Sequence, residues 1–489
     1  MSIKLNWWDK TIGAFSQKAL HNRLVYRQRN AILTRGYDGA IDYRTSQINR
    51  SPKSPNSELK KAISPLREGG RELFRNSAFA RKGVGVLVNN SVGWGITPKI
   101  SHADETTQQQ IRQLWEVWSK SCSIDGSDFY TLQRLAMQSL IVDGEVLCRE
   151  VITESSLKLQ LLESDHIDST VDEITDEKTG LQVIQGIIVN NYNQPVGYYL
   201  SNIHPGDGDI TPEVITANQM IHLFDRERPG QLRGTSWLNP VIHSLKLLDN
   251  LQFTQLQRLQ LAASLTAAIT TESSTLPAED LKAQREEDWA LTPGTTKYLN
   301  PGEKIEFPSI PNPEGFAPSI KTALQQVAAG LGITYEALSG DLSNVSFSSA
   351  RMGAIEQNRN IDRIQWTLFI PRFCDPAFEK FKKFCALKGV STDGVSVHWN
   401  PPIRTMVNPK EEVATAKEAI RSGLQTLPGA LRELGIDPET HLKEIAESNK
   451  MITDLGLVLD SDPRATANGQ IQSAKNLEEV QDQLKNKPD

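Results

Sequence analysis

Between Trp237 and Thr271 the chain runs for thirty-five residues with only three charges, Lys246, Asp249 and Arg258. Leu238, Val241, Leu245 and Leu248 repeat at three-four spacing, as do Leu256, Leu259 and Ala263. That period predicts one long helix of roughly 50 Å at about 1.5 Å per residue. Gln252, Gln255, Gln257 and Gln260 interrupt the apolar run and exclude a membrane span. Few domains bury such a rod on nearly all sides. Contact with further copies of the chain does so, the competing reading being a central core helix of a monomer.

The flanks of this helix set the fold class. Residues 57–92 read as helical, with Ser64-Pro65 as a cap and first-turn pair and Gly93 and Gly95 as the stop. Ile111, Leu114, Trp115 and Trp118 share one helix face. Ser127 opens a further helix carrying Phe129, Leu132, Ala136 and Leu140, and Asp143-Gly144 ends it. Then "EVLCREVI", "LKLQLLES", "LQVIQGIIVN", "PVGYYLS" and "QMIHLFD" follow as short β-rich runs between turn residues. An antiparallel section between helices makes the class α+β. After the long helix comes a loop-rich insertion, 272–316, whose Asn300-Pro301-Gly302 is a turn between short strands. A second helix from Ala317 breaks near Gly332, and a long one from about Arg351 to Leu387 should kink at Pro371 and Pro376. "VSVHWNPP" is a strand, and 409–456 are short helices.

Charge is distributed unevenly. Residues 1–60 carry eleven Lys/Arg against four Asp/Glu, whereas the whole chain has a net charge of −6. A basic arm on an acidic body points to two kinds of surface. Cys122, Cys148, Cys374 and Cys385 form no C-x-x-C pair, which fits a reducing compartment. The start of the chain has no apolar run of signal-peptide length.

Motifs for chemistry are missing. There is no Gly-Lys dipeptide, hence no Walker A loop, and no H-E-x-x-H, G-x-S-x-G or G-x-G-x-x-G. Asp165-His166 and His204-Asp207-Asp209 lie in turn-forming contexts that account for their aspartates without a metal. The serine-rich stretch "GDLSNVSFSSARMG", 340–353, has no histidine within forty residues to serve as a base, and glycine only at its ends. Ser348 or Ser349 is expected to cap the following helix. The rest offers a small, neutral, hydrogen-bonding surface. No catalytic residue, cofactor or metal site is expected.

Distinctive blocks carry a resemblance: "NSAFARKGVGVLVNNSVGWGITP" (76–98), "VDGEVLCR" (142–149), "LLESDHID" (161–168), "MIHLFDRERPGQLRGTSWLNPVI" (220–242), "LNPGEKIEF" (299–307) and "AAGLGITYEALSGDLSNVSFSSAR" (328–351). A later block is "NPKEEVATAKEAIRSGLQTLPGALRELGIDPE" (408–439), with Asn408 where the family commonly has Asp. Over roughly residues 30–465 the chain resembles the portal proteins of tailed bacteriophages, lambda-like family. The resemblance implies a portal fold: a basic arm (1–56), a mixed helical and antiparallel-β wing (57–235), stem helices (236–271 and 317–338) flanking a clip (272–316), a tunnel loop (339–353), a long kinked wing helix (354–390), a helical crown (391–467) and a mobile tail (468–489).

It further implies a structural, non-enzymatic dodecamer at one capsid vertex of the virion, made in the host cytoplasm. Double-stranded DNA passes through it without sequence specificity. Terminase large subunit docks first, then a head–tail connector or adaptor, with major capsid and scaffold proteins around it. No membrane is involved. Ser343, Asn344, Val345, Ser346, Phe347 and Ser348 would face the DNA channel. Arg351 would lie at the subunit boundary, and Glu279, Asp280, Glu286, Glu287 and Asp288 would meet partners at the clip. The alternatives are a nuclease of the packaging machinery, for which no carboxylate cluster for Mg²⁺ can be assembled, and a head–tail adaptor ring, which is usually shorter.

Overall fold

Two helices that meet at Ser77 open the described part of the chain: α1 (Pro55–Asn76) and α2 (Ala78–Ser91). The computed structural model describes residues 54–153, 156–172, 174–176, 179–208, 212–264, 268–271, 303–306, 316–343, 345–402, 408–433, 436 and 438–457. Ser64-Pro65 sits inside α1 rather than at its start. The first turn is held from outside the helix, Asn56 accepting from Leu232 N at 3.0 Å and donating to Gly230 O at 3.1 Å. Buried Ile63 and Leu73 secure the helix on both sides of the proline, so packing outweighs its intrinsic cost.

Strand β1 (Thr97–Ser101) leads to α3 (Glu105–Ser119) and α4 (Phe129–Asp143). Ile111, Trp115 and Trp118 are buried and Leu114 half-buried, as the period requires. Trp115 packs edge-on against Phe129 and Phe381, and Trp118 donates its indole N–H to Leu157 O at 2.8 Å. The cap of α4 is Asp128, not Ser127: its carboxylate accepts from Tyr130 N and Thr131 N at 2.8 and 2.9 Å. A carboxylate at this position also answers the positive end of the helix dipole. Gly144 ends the helix at φ 90°, where a Cβ would strike the Thr235 backbone.

The antiparallel section comprises two sheets. Strands β2 (Glu145–Ile152), β3 (Leu157–Leu162) and β9 (Met220–Phe224) pair in the order β3-β2-β9. A meander of β4 (Ile174–Asp176), β5 (Leu181–Ile184), β6 (Ile187–Val189), β7 (Pro195–Ser201) and β8 (Pro212–Thr216) forms the other. Alternation along β2 splits its side chains between two cores. Val146 and Cys148 join the helical core, whereas Leu147 joins Ile187, Val189, Tyr198 and Leu200 of the meander.

The long low-charge stretch becomes α5 (Ile242–Ser264), followed by β10 (Ala268–Thr271), which pairs antiparallel with β11 (Glu303–Glu306). The expected helix therefore ends seven residues before Thr271, and the β-branched Ile269, Thr270 and Thr271 fall in a strand. Helices α6 (Phe316–Leu331) and α7 (Tyr335–Ser339) are separated at Gly332, φ 66°, where the sequence places its break. A continuous helical run follows: α8 (Phe347–Arg363), a π-helical stretch (Ile364–Cys374) and α9 (Asp375–Leu387). Pro371 lies in the wide π turns, which spare its ring the clash with a carbonyl four residues back. Gln365 anchors this stretch to the end of α2 by donating to Ser91 O at 2.9 Å.

Strand β12 (Ser396–Asn400) pairs with β1. Helices α10 (Pro409–Arg421), α11 (Leu427–Glu433) and α12 (Pro438–Asp454) complete the α+β fold. Cys122, Cys148, Cys374 and Cys385 are all buried free thiols. Among the described residues no helix is long and apolar enough to cross a membrane.

Candidate functional site

Helices α5 and α6 form an antiparallel pair. Near Gly330, at the end of α6, a Cβ would come within 2.4 Å of Val241, just before α5, so only glycine permits this approach. The β10–β11 ladder closes the opposite end, and the insertion between those strands leaves from there. Glu279, Asp280, Glu286, Glu287 and Asp288 lie outside the described residues.

Along α5 one apolar pattern meets two environments. Leu238, Val241, Leu245 and Leu248 are at most 2% exposed, where the segment packs against α1 and α6. Lys246 pairs with Glu72 at 2.7 Å, and Asp249 accepts from the Ser77 hydroxyl at 3.4 Å. From Leu247 onward apolar side chains face outward on more than one side of the helix: Leu247 is 69% exposed, Leu251 43%, Phe253 60%, Leu256 66% and Leu259 52%. Each such side chain gains about 2 kcal/mol when it is covered.

A buried ionic joint fixes the segment that leads into α5. Glu145, at the start of β2, receives the Arg233 guanidinium at 2.6 and 3.0 Å, His222 Nε2 at 3.1 Å and Gly234 N at 2.9 Å. Burial pushes the Glu145 carboxyl up, but Arg233 and His222 outweigh it and hold it well below the usual range. Burial also lowers His222 below 6.5, against the pull of Glu145. Arg67 reaches Asp165 at 2.7 Å and Glu145 at 3.6 Å. Arg71 donates to Asp143, Glu163 and Asp165 at 2.7, 2.8 and 2.7 Å. Sequence reasoning missed this joint, since its members come from five separate segments.

Of the residues considered for a metal, Asp165 and His204 do come together, with Glu163 completing a set whose ligand atoms lie within 4.8 Å of one another. The Arg71 guanidinium already supplies the cation there. His166 instead binds Ser201 O at 2.8 Å. Asp209 lies outside the described residues.

In the serine-rich stretch Gly340 closes α7 at φ 75°. Asp341 accepts from Ser343 N and Oγ at 3.0 and 2.6 Å and from Tyr335 OH at 3.2 Å. Those Ser343 bonds draw its carboxyl below the ordinary value. The helix cap is Ser346, which is extended and accepts from Ser349 N at 3.2 Å, and not Ser348 or Ser349. Consequently Phe347 and Ser348 belong to the first turn of α8, four residues ahead of the expected start at Arg351. Three serines within four residues make the cap ambiguous in sequence; Val345 before Ser346 and Ala350 after it line one groove, the arrangement of a hydrophobic staple. Ser343, Ser346 and Ser348 are exposed and Val345 half-buried. Asn344 and the Phe347 side chain lie outside the described residues. Arg351 is exposed and has no ion-pair partner among the described residues.

These features define an α+β body that carries a helix pair and a short serine-rich connector. The sequence profile described as phage portal protein, lambda family, matches residues 42–365. A probable portal protein of Halomonas phage phiHAP-1 is 27% identical over 435 residues, covering 83% of each chain. Portal protein B of Escherichia phage lambda is 24% identical over 388 residues, covering 69% of this chain and 71% of its own. A chain in the neck of an empty gene transfer agent particle aligns with TM-score 0.49 and 14% identity, over 79% of this chain and 95% of its own. The chain belongs to the lambda family of phage portal proteins. Its role is structural and not enzymatic.

Proposed function

We propose that copies of this chain close head-to-tail into a dodecameric ring at one capsid vertex, with α5 and α6 as the stem of a DNA channel. The observation that carries this reading is the outward apolar half of α5, from Leu251 to Leu259. A ring gives each such helix a neighbour on both flanks, and heterologous contacts that close do so without an open filament. Passage of a duplex requires that it not be gripped, because every cation–phosphate contact adds affinity through counterion release. The connector between α7 and α8, with Ser343, Asn344, Val345 and Ser346 and with Phe347 and Ser348 in the turn that follows, carries no cation and suits a channel constriction on that ground. The acidic insertion, 272–316, leaves the far end of the helix pair and is the surface for terminase large subunit, then for the head–tail connector. The basic arm, 1–56, turns toward major capsid and scaffold proteins. Negative-stain electron microscopy of the purified full chain tests the assembly: rings with a central hole are expected, and a population of single subunits at micromolar concentration contradicts the reading.

A further inference from the structure

One groove and one ridge lie on opposite faces of the same helix. The groove, of about 380 Å³, opens between the end of α2, helix α7 and the inner face of α8, with Asn90, Glu336, Ala337, Ala354, Gln357 and Ile361 among its walls. Its volume is at the lower end of those that hold small ligands, enough for a pair of side chains. Successive helix residues step about 100°, so Ala354, Gln357 and Ile361 share one face, while Met352, Ile355 and Arg359 fall within about 60° of the opposite pole. Met352 is 68% exposed and Ile355 40%. Arg351 sits on the flank of this ridge.

We infer that the Arg351–Met352–Ile355 ridge of one copy seats in the groove of the next copy, Met352 entering between α7 and α8, with the Arg351 guanidinium against Glu336. The occupant is a second copy for two reasons. Head-to-tail closure requires each subunit to carry two different, complementary patches on opposite flanks, and α8 supplies both. The charges also match: the ridge brings an exposed cation and the groove holds a half-buried carboxylate, and neither has an ion-pair partner among the described residues. Arg359 is held apart from this contact by Glu356 at 3.2 Å. A guanidinium–carboxylate bond inside such an interface fixes register more than it adds affinity. The pairing rests on the ring proposed above and adds which faces meet.

The test is a cysteine pair, Met352→Cys with Ala337→Cys, in the full chain, with each single variant as control. The native thiols are buried, which keeps background oxidation low. Purified assemblies oxidised under mild conditions should give a ladder of covalent multimers on a denaturing gel for the double variant alone. Rings that stay uncrosslinked overturn the pairing while leaving the ring intact. Absence of rings in the wild-type chain overturns both. Charge exchange gives an independent readout. Arg351→Glu and Glu336→Arg should each lower the ring fraction about tenfold, and the two together should restore most of it. Failure of the double variant to recover more than either single one contradicts the Arg351–Glu336 contact, provided the monomers keep wild-type circular dichroism.

Discussion

The two halves of α5 draw on the same apolar alphabet but have opposite surroundings. From Leu238 to Leu248 one apolar face is sealed by α1 and α6, whereas from Leu251 to Leu259 the apolar side chains are bare. The first half is accounted for by the fold of one chain and the second half is not. A pattern of hydrophobic residues specifies that a face will be covered, and leaves open whether the same chain covers it. That distinction makes the comparison experimentally separable, because substitutions in the two halves should report on different equilibria.

The largest effect should come at the joint beneath the buried half. Glu145→Gln leaves the Arg233 guanidinium buried beside a neutral group and should destabilise the monomer by about 3–5 kcal/mol, read by urea denaturation. A loss below about 1 kcal/mol would mean that the joint is open to water, and that the buried half is held by apolar contacts alone. Leu245→Ala comes next, at about 2–5 kcal/mol by cavity formation, against less than about 0.5 kcal/mol of monomer stability for Leu256→Ala. Equal effects at the two sites would erase the contrast.

Acid should act on the same joint with a definite sign. Burial depresses the His222 pKa in the folded chain, so the unfolded chain takes up the proton first. The stability this group contributes is complete above 6.5 and is lost as pH falls below it, by at most about 1.4 kcal/mol per pH unit. Glu145, also depressed, adds to the loss below 4.5. The urea midpoint should therefore drop between pH 7 and pH 5, and a His222→Gln variant that still folds should show a flatter profile. A midpoint that rises toward pH 5 would reverse the assignment. The smallest expected effect is Ser346→Ala, about 1 kcal/mol from the lost cap, again by urea denaturation. Ser348→Ala should be near neutral, because Ser348 lies within the first turn of α8.

Sequence carried the fold far but not evenly. The helix faces of α3 and α4 follow directly from spacing: Ile111, Trp115, Phe129, Leu132, Ala136 and Leu140 are all buried. Charge alone does not mark the end of α5, because low charge continues past Ser264 into a strand; the β-branched Ile269-Thr270-Thr271 run carries the signal. Pro371 reads as a kink in sequence, and the chain accommodates it in π turns held by Gln365, a detail that spacing does not show. The ionic joint could not be read at all. Arg71 lies 72 residues from Asp143, and Arg233 lies 88 from Glu145, so only tertiary topology brings them together.

On the ring reading, the outer half of α5 belongs to an interface between copies. It is tested most directly by the sedimentation velocity of the full chain beside a Leu256→Glu, Leu259→Glu variant. The wild-type chain should sediment as a ring. The variant should sediment as a single subunit with unchanged circular dichroism and a thermal midpoint within about 2 °C of the dissociated wild-type chain, since exposed sites contribute little to monomer stability. A variant that assembles as fully as the wild type would show that the bare face of α5 is not the contact between copies.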